Sequence, residues 1–216
     1  METLQAIKKR FSVNSFLKKN LSHDKLVKML QAGIQAPNAG NLQSFRFVIV
    51  RRDDLKVKLG KAAFKQAWIA QAPVVLVICS DNSELVKQYG NKAETYAIQN
   101  CSAAAENILL ASTDLGIDSC WIGAFNSDEV LMALRLPRSI IPYIIIPLGY
   151  SKEKKKSKRF QLEHFLHFEE YGTQDFKQGI FPLEVKVIPK IEKETKKLEE
   201  QSKHLFGRLK KKLKKR

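Results

Sequence analysis

Arg10 and Ser12 stand two residues apart in "KKRFSVNSF" (Lys8–Phe16), just after a short stretch of helical spacing. A guanidinium and a hydroxyl placed this way suit an anion such as a phosphate, which accepts a bidentate fork and one further hydrogen. The plain alternative is a solvated basic helix end. A second stretch, "APNAGNLQ" (Ala36–Gln43), sets proline, two asparagines and glycine directly before an apolar, β-branched segment. Such residues make ordinary turns, and they also turn backbone and amide groups toward a ligand. In the third, "CWIGAF" (Cys120–Phe125), Gly123 follows a strand. A glycine there lets a backbone N–H approach a flat ligand, or only tightens a turn.

Other chemistries are poorly supported. His23, His164, His167 and His204 form no triad; His164 and His167 could share a helix face, but a metal site needs more ligands. Cys79, Cys101 and Cys120 are odd in number and widely spaced in apolar surroundings, so they read as buried free thiols. No GxGxxG or GxxxxGK[ST] stretch occurs, which argues against a Rossmann nucleotide site or a P-loop.

The elements that must position these stretches follow from periodicity and caps. "METLQAIKKRF" carries Leu4, Ile7 and Phe11 at helical spacing. Ser22 is placed as an N-cap for a helix with Leu26, Val27, Leu30 and Ile34 on one stripe, ending at Ala36-Pro37. A strand is expected over Arg46–Arg51, a helix opened by acids over "DDLKVKLGKAAF", and a fully buried strand over Pro73–Ser80, followed by a polar loop and a short helix. Glu94–Gly116 is the strongest helix, with Gly116 as its terminator. Its lack of a wide polar face predicts burial on several sides, part of it against a second subunit. "IDSCWIGAF" predicts a short strand and a glycine turn, "NSDEVLMAL" a helix capped by Asn126 or Ser127, and "YIIIPLGY" a last core strand. Helices and strands mix without regular alternation, which points to an α+β sheet wrapped by helices.

The totals agree. At 216 residues and 44% apolar, the chain can bury a sizeable core as one large domain with an appendage. No apolar run approaches the ~20 residues of a spanning helix. The N-terminus lacks the apolar core of a secretion signal, so a cytoplasmic location is expected. The net charge of +16 is unevenly spread. Lys152–Arg159 holds six basic residues against one acid, and Lys186–Arg216 thirteen against four, so the rest is nearly neutral. The basicity is an attachment.

Taken in order, these stretches resemble the nitroreductase family of flavin-dependent oxidoreductases, from the start to about Gly172. The family opens with Arg-x-Ser-x-basic-x-Phe, here Arg10, Phe11, Ser12, Val13, Asn14, Ser15 and Phe16, with Asn14 in the basic slot. An Ala-Pro-Ser-small-Gly-Asn-x-Gln loop follows, here Ala36–Gln43 with Asn38 replacing serine. Gln66 precedes Ala72-Pro73, the long helix is similar to the family's dimer-core helix, and "CWIGAF" and "IPLGY" come next. A basic pair near a Leu-x-x-x-x-His pattern matches the region of Lys158, Arg159 and "LEHFLHFEEYG".

The resemblance implies a three-layer α-β-α sandwich with a mostly antiparallel sheet, in a homodimer that binds one FMN at each subunit interface. Arg10, Ser12 and Arg159 would hold the ribityl phosphate. Pro37, Asn38 and Ala39 of the partner subunit would line the isoalloxazine, with Asn41 and Gln43 beside them. Gln66 would bond the pyrimidine edge, and Gly123, with Ile122 and Ala124, would offer a backbone N–H to flavin N5. NADH or NADPH would pass hydride to the flavin, and a small acceptor such as a nitroaromatic or quinone would then be reduced, in a ping-pong cycle. No side chain need act as a strong acid or base. Where relatives carry lysine or arginine this chain has Asn14, with Lys156 or Lys158 as other sources of charge, so its flavin is expected to be less easily reduced. A flavin-binding or sensing protein without NAD(P)H turnover is the rival reading.

A family-like domain is expected over residues 1–183, which leaves 184–216 as a lysine-rich tail. There Ile188, Ile191, Leu198, Leu205, Leu209 and Leu213 recur near a heptad. A solvated, fraying helix, an amphipathic helix on an anionic membrane and a salt-dependent nucleic-acid contact are its three readings.

Overall fold

The computed structural model describes residues 2–153 and 158–173. The chain divides into two compact units, residues 1–157 and 158–216. The tail with its near-heptad leucines, Lys156 and the boundary at 183 lie outside the described residues.

In the first unit, helices α1 (Thr3–Lys9) and α2 (His23–Ile34) precede strand β1 (Phe45–Val50). Then follow α3 (Asp53–Ala62), β2 (Val74–Asp81), α4 (Ser83–Tyr89), α5 (Ala93–Asp114), β3 (Asp118–Ser119), α6 (Ser127–Leu134) and β4 (Ile140–Gly149). The expected boundaries hold to within a few residues, because the caps are local. Ser22 Oγ accepts the Lys25 N–H, Asn126 Oδ1 accepts the Glu129 N–H, and Gly116 takes φ +68° just past α5.

The sheet runs β1-β2-β4-β3, antiparallel throughout. β2 is buried over Val74–Ser80, as its unbroken apolar run requires. Alternation along the strands feeds two cores. Phe45, Leu76, Ile144 and Ile146 pack with α2 and α5 residues such as Leu26, Met29 and Ile108. Val50, Val75, Val77 and Ile145 pack on the other face with Leu59 of α3 and Val130 of α6. Helices thus cover both faces, the three-layer arrangement expected.

β4 begins three residues before the expected "YIIIPLGY" and tolerates Pro147 in its interior. The Pro147 carbonyl accepts from Cys120. In an antiparallel strand the N–H of the same residue would point to that same neighbour, so the missing donor faces the side where β3 is only two residues long.

α5 buries Ala97, Asn100, Cys101, Ala104, Ala105, Ile108 and Leu109 toward the sheet, while Ile98 (46% exposed), Gln99 and Glu106 stay exposed. Within one chain it packs against α1, α2, α4 and the sheet, and the face bearing Ile98 stays open. In the second unit a short 3-10 turn spans Leu162–Phe165, with the Phe160 ring edge-on to His164 at 5.7 Å. His167 lies outside that turn and its Nδ1 accepts the Gly172 N–H, so the two histidines do not share a helix face.

Candidate functional site

The chain leaves α1 at Arg10 and runs beside β3. The Val13 N–H donates to the Ser119 carbonyl at 3.2 Å, and Ser12 bridges Ser119 in parallel. The turn that follows is tied to the end of β4 and to the segment before β2. Leu17 N–H donates to the Tyr150 carbonyl at 2.7 Å, and Phe16 N–H to Gln71 Oε1 at 3.3 Å. Asn14 is exposed, and its N–H meets Glu153 Oε1 at 3.3 Å.

The Arg10 side chain is only 19% exposed, and among the described residues its ion-pair partner is Glu106, with Nε and Oε1 4.0 Å apart. A half-buried guanidinium with one long pairing keeps most of its five donors available. That is the condition a phosphate site needs, and the exposed Ser12 hydroxyl lies beside it.

Gln66 is half-buried and opens a 3-10 segment, Ala67–Gln71. The turn before it is unusual: Phe64 and Lys65 both take positive φ, +54° and +64°. Left-handed backbone costs an L-residue about 1–2 kcal/mol. Lys65→Gly is therefore expected to raise stability by about 1 kcal/mol, read as an upward shift of the urea midpoint. No shift, or a downward one, would show that the turn is unstrained. Gly60 leaves room for this turn, since a Cβ there would stand 3.0 Å from the Gln66 carbonyl oxygen.

Ile122 is buried and exchanges both backbone bonds with Ile145 at 2.9 Å. Gly123 and Ala124 beyond it are exposed, and the Asn126 N–H donates to Ala62 at the end of α3. Phe11, Val13, Phe16, Trp68, Ile69, Cys120 and Ile122 share one apolar cluster. One chain therefore gathers Arg10, Phe11, Ser12, Asn14, Gln66 and Ile122–Ala124 around that cluster.

Cys120 is half-buried, unlike Cys79 and Cys101, and so departs from the expected buried thiol. Burial raises its pKa; the Ser12 hydroxyl and the Arg10 charge act the other way without reversing the shift. Burial pushes the Cys79 and Cys101 thiols up to about 12. All three stay protonated near neutral pH, so none is an activated nucleophile. No cluster of metal-ligating side chains occurs among the described residues, and no helix there is long and apolar enough to cross a membrane.

The loop Ala36–Gln43 sits elsewhere. Asn38 Oδ1 accepts the Gln43 N–H at 2.7 Å and closes the loop on itself, while Ala39 N–H donates to Asn100 Oδ1 at 2.9 Å. Pro37, Gly40, Asn41 and Gln43 are exposed. The loop leads into β1, where the Ser44 carbonyl accepts from Asp81 at the far end of β2. Ser12 bridges Ser119, which pairs with Leu148 and through it with Val74, at the near end. From Val74 to Asp81 the strand covers roughly 23 Å at its usual rise. One chain does not bring the two groups together.

Lys158 and Arg159 are exposed in the second unit, where the Arg159 guanidinium donates to the Lys158 carbonyl at 3.2 Å. Sequence reading missed Gln71, Glu153 and Asn100. Asn100 left a signal: an amide among Ala97, Cys101 and Ala104 on the apolar side of α5.

The profile of the nitroreductase family matches residues 7–70 and 62–150. An Archaeoglobus fulgidus protein, provisionally named an NADH dehydrogenase/NAD(P)H nitroreductase, is 34% identical over 158 residues, 71% of this chain and 88% of its own length. The Bacillus subtilis protein named FMN reductase [NAD(P)H] is 25% identical over 189 residues, 81% of this chain and 76% of that one. The crystal structure of a Bacteroides thetaiotaomicron protein, with the same provisional name as the archaeal one, has a TM-score of 0.70 at 29% identity. It covers 78% of this chain and 98% of that one. The chain belongs to the nitroreductase family.

Proposed function

We propose that this protein is an NAD(P)H-dependent FMN oxidoreductase that works as a homodimer, with each FMN held between two subunits. The observation that carries the reading is the separation of two groups of residues within one chain. Arg10 and Ser12 lie at one end of the sheet, Gln66 and Ile122–Ala124 border the same apolar cluster from before β2 and from the middle of β4, and the pre-shaped loop Pro37–Gln43 lies at the other end. A second copy can set its loop against the first copy's cluster. The side of α5 that bears Ile98 is left uncovered in one chain, in keeping with a partner there.

In this reading the half-buried Arg10 fork and the Ser12 hydroxyl hold the phosphate. The Gln66 carboxamide orients the polar edge of the ring, and the backbone at Gly123 faces its reactive edge. Pro37, Asn38 and Ala39 of the partner close one face and exclude water, with Asn41 and Gln43 at the rim. When bound, FMN supplies the redox chemistry, taking a hydride from NADH or NADPH and passing two electrons to an acceptor such as a nitroaromatic or quinone. Two substrates that use one open face in turn give ping-pong kinetics. Dependence on NAD(P)H is the reason to place the enzyme in the cytoplasm.

The test is the visible spectrum of the purified protein before and after anaerobic NADH or NADPH. A yellow protein that bleaches is expected. A yellow protein that keeps its colour would favour binding or sensing, and one colourless even after added FMN would overturn the proposal.

Asn14 sharpens the expectation. Its side chain is neutral where relatives carry a cation, and its backbone N–H meets the Glu153 carboxylate, an anion. A nearby positive charge is worth ~1 kcal/mol at a partly exposed site, about 20 mV for a two-electron couple. Asn14→Lys is therefore expected to raise the flavin midpoint potential by about that much. A fall or no change in a spectroelectrochemical titration would sink the idea.

A further inference from the structure

The sheet-facing side of α5 is made mostly of small apolar residues, and one amide interrupts it. Asn100 is 2% exposed. A buried carboxamide is costly unless both ends are bonded, and here both are. Oδ1 accepts the Ala39 N–H at 2.9 Å, and Nδ2 donates to Ser44 Oγ at 3.2 Å. A backbone N–H can only donate, so the contact with Ala39 fixes which end of the amide faces it. Ser44 is itself 3% exposed.

These partners bracket the loop. Ala39 opens its 3-10 turn, and Ser44 is the last residue before β1. Between them Gly40, Asn41 and Gln43 take φ of +58°, +54° and +48°. Backbone of this kind persists only where its surroundings over-determine it. The Asn38 side chain closes the loop internally, and Asn100 supplies the anchor from outside, joining both ends of the loop to one point on a rigid helix.

We infer that Asn100 is a positioning residue for FMN binding: it sets the shape in which Asn38–Gln43 meets the flavin held by the partner subunit. The inference rests on the interface reading above. Loss of the carboxamide should leave a folded dimer whose loop is no longer pre-shaped, so binding must then order it.

Asn100→Leu removes both bonds at similar volume. Asn100→Asp keeps the acceptor for Ala39 and can accept from the Ser44 hydroxyl. Two quantities are measured: the FMN dissociation constant by fluorescence titration, and hydrogen exchange across Ala39–Ser44 in the apoprotein. Asn100→Leu is expected to weaken FMN binding about tenfold, the scale of one or two lost hydrogen bonds. It should also speed exchange in the loop while the rest of α5 keeps its protection. Asn100→Asp should restore most of both. A folded Asn100→Leu dimer with wild-type FMN affinity overturns the inference, whatever its melting temperature. Failure of the wild type to bind FMN overturns the interface reading instead. Should Asn100→Leu not fold, Asn100→Ser, too short to reach Ala39 but able to hold a water, carries the same expectations and the same overturning result.

Discussion

Arg10→Ala is expected to weaken FMN binding by roughly 10- to 100-fold, because a hydrogen-bonded charge at a phosphate is worth about 1.5–3 kcal/mol. The guanidinium is 19% exposed and its pairing with Glu106 is long, so its donors are held near one place without being consumed. Arg10→Lys should recover part of the loss, since it keeps the charge but not the fork that grips two oxygens. Glu106→Gln should change affinity by no more than about twofold, because ion pairs with an exposed partner are worth little, and the Glu106 side chain is 49% exposed. The three variants are compared by the quenching of FMN fluorescence at fixed ionic strength. Equal losses for alanine and lysine would mean the fork matters and the charge does not. Wild-type affinity for Arg10→Ala would remove Arg10 from the phosphate site.

Gly149→Ala is expected to destabilise the protein by about 3 kcal/mol, the upper end for overpacking a core. A Cβ at Gly149 would stand 2.6 Å from Pro73 Cδ and 2.9 Å from Phe16 Cδ1. The proline ring cannot rotate away, and Phe16 is 7% exposed and stacked with Trp68 at 6.3 Å. For a domain of this size the melting temperature should fall by roughly 6–12 °C. Phe16 stands two residues after Asn14, and its N–H is held by Gln71. Movement of its ring should therefore also weaken FMN binding several-fold. A melting temperature within about 2 °C of wild type would show that Phe16 can move without cost, and the link from strand end to phosphate site would fall with it.

Much of the fold was legible because its signals are local. Ser22 and Asn126 cap helices where a short polar side chain can reach a free N–H, and Gly116 ends α5 where φ must be positive. The short, β-branched apolar run of β2 behind Pro73 read as a strand buried on both faces, and it is one. Where local reading fell short, long-range contacts decided. β4 starts early because Ile140–Pro142 find partners in Cys79–Asp81. Cys120 is half-buried because it lies between the Arg10–Ser12 segment and the edge of the sheet.

The candidate site divides in the same way. Its residue types were legible along the chain, because the contacts proposed for a phosphate and a flat ring call for an arginine fork, a hydroxyl, turn-forming amides and a glycine. Their places were set by contacts far apart in the chain. The register of β1, β2, β4 and β3 puts Ser12 at one end of the sheet and Ala36–Gln43 at the other. Packing of α5 beneath the loop brings Asn100 to Ala39, 61 residues away in sequence. Strand register and helix packing are sums of many contacts between distant residues, and no window of neighbouring residues contains them.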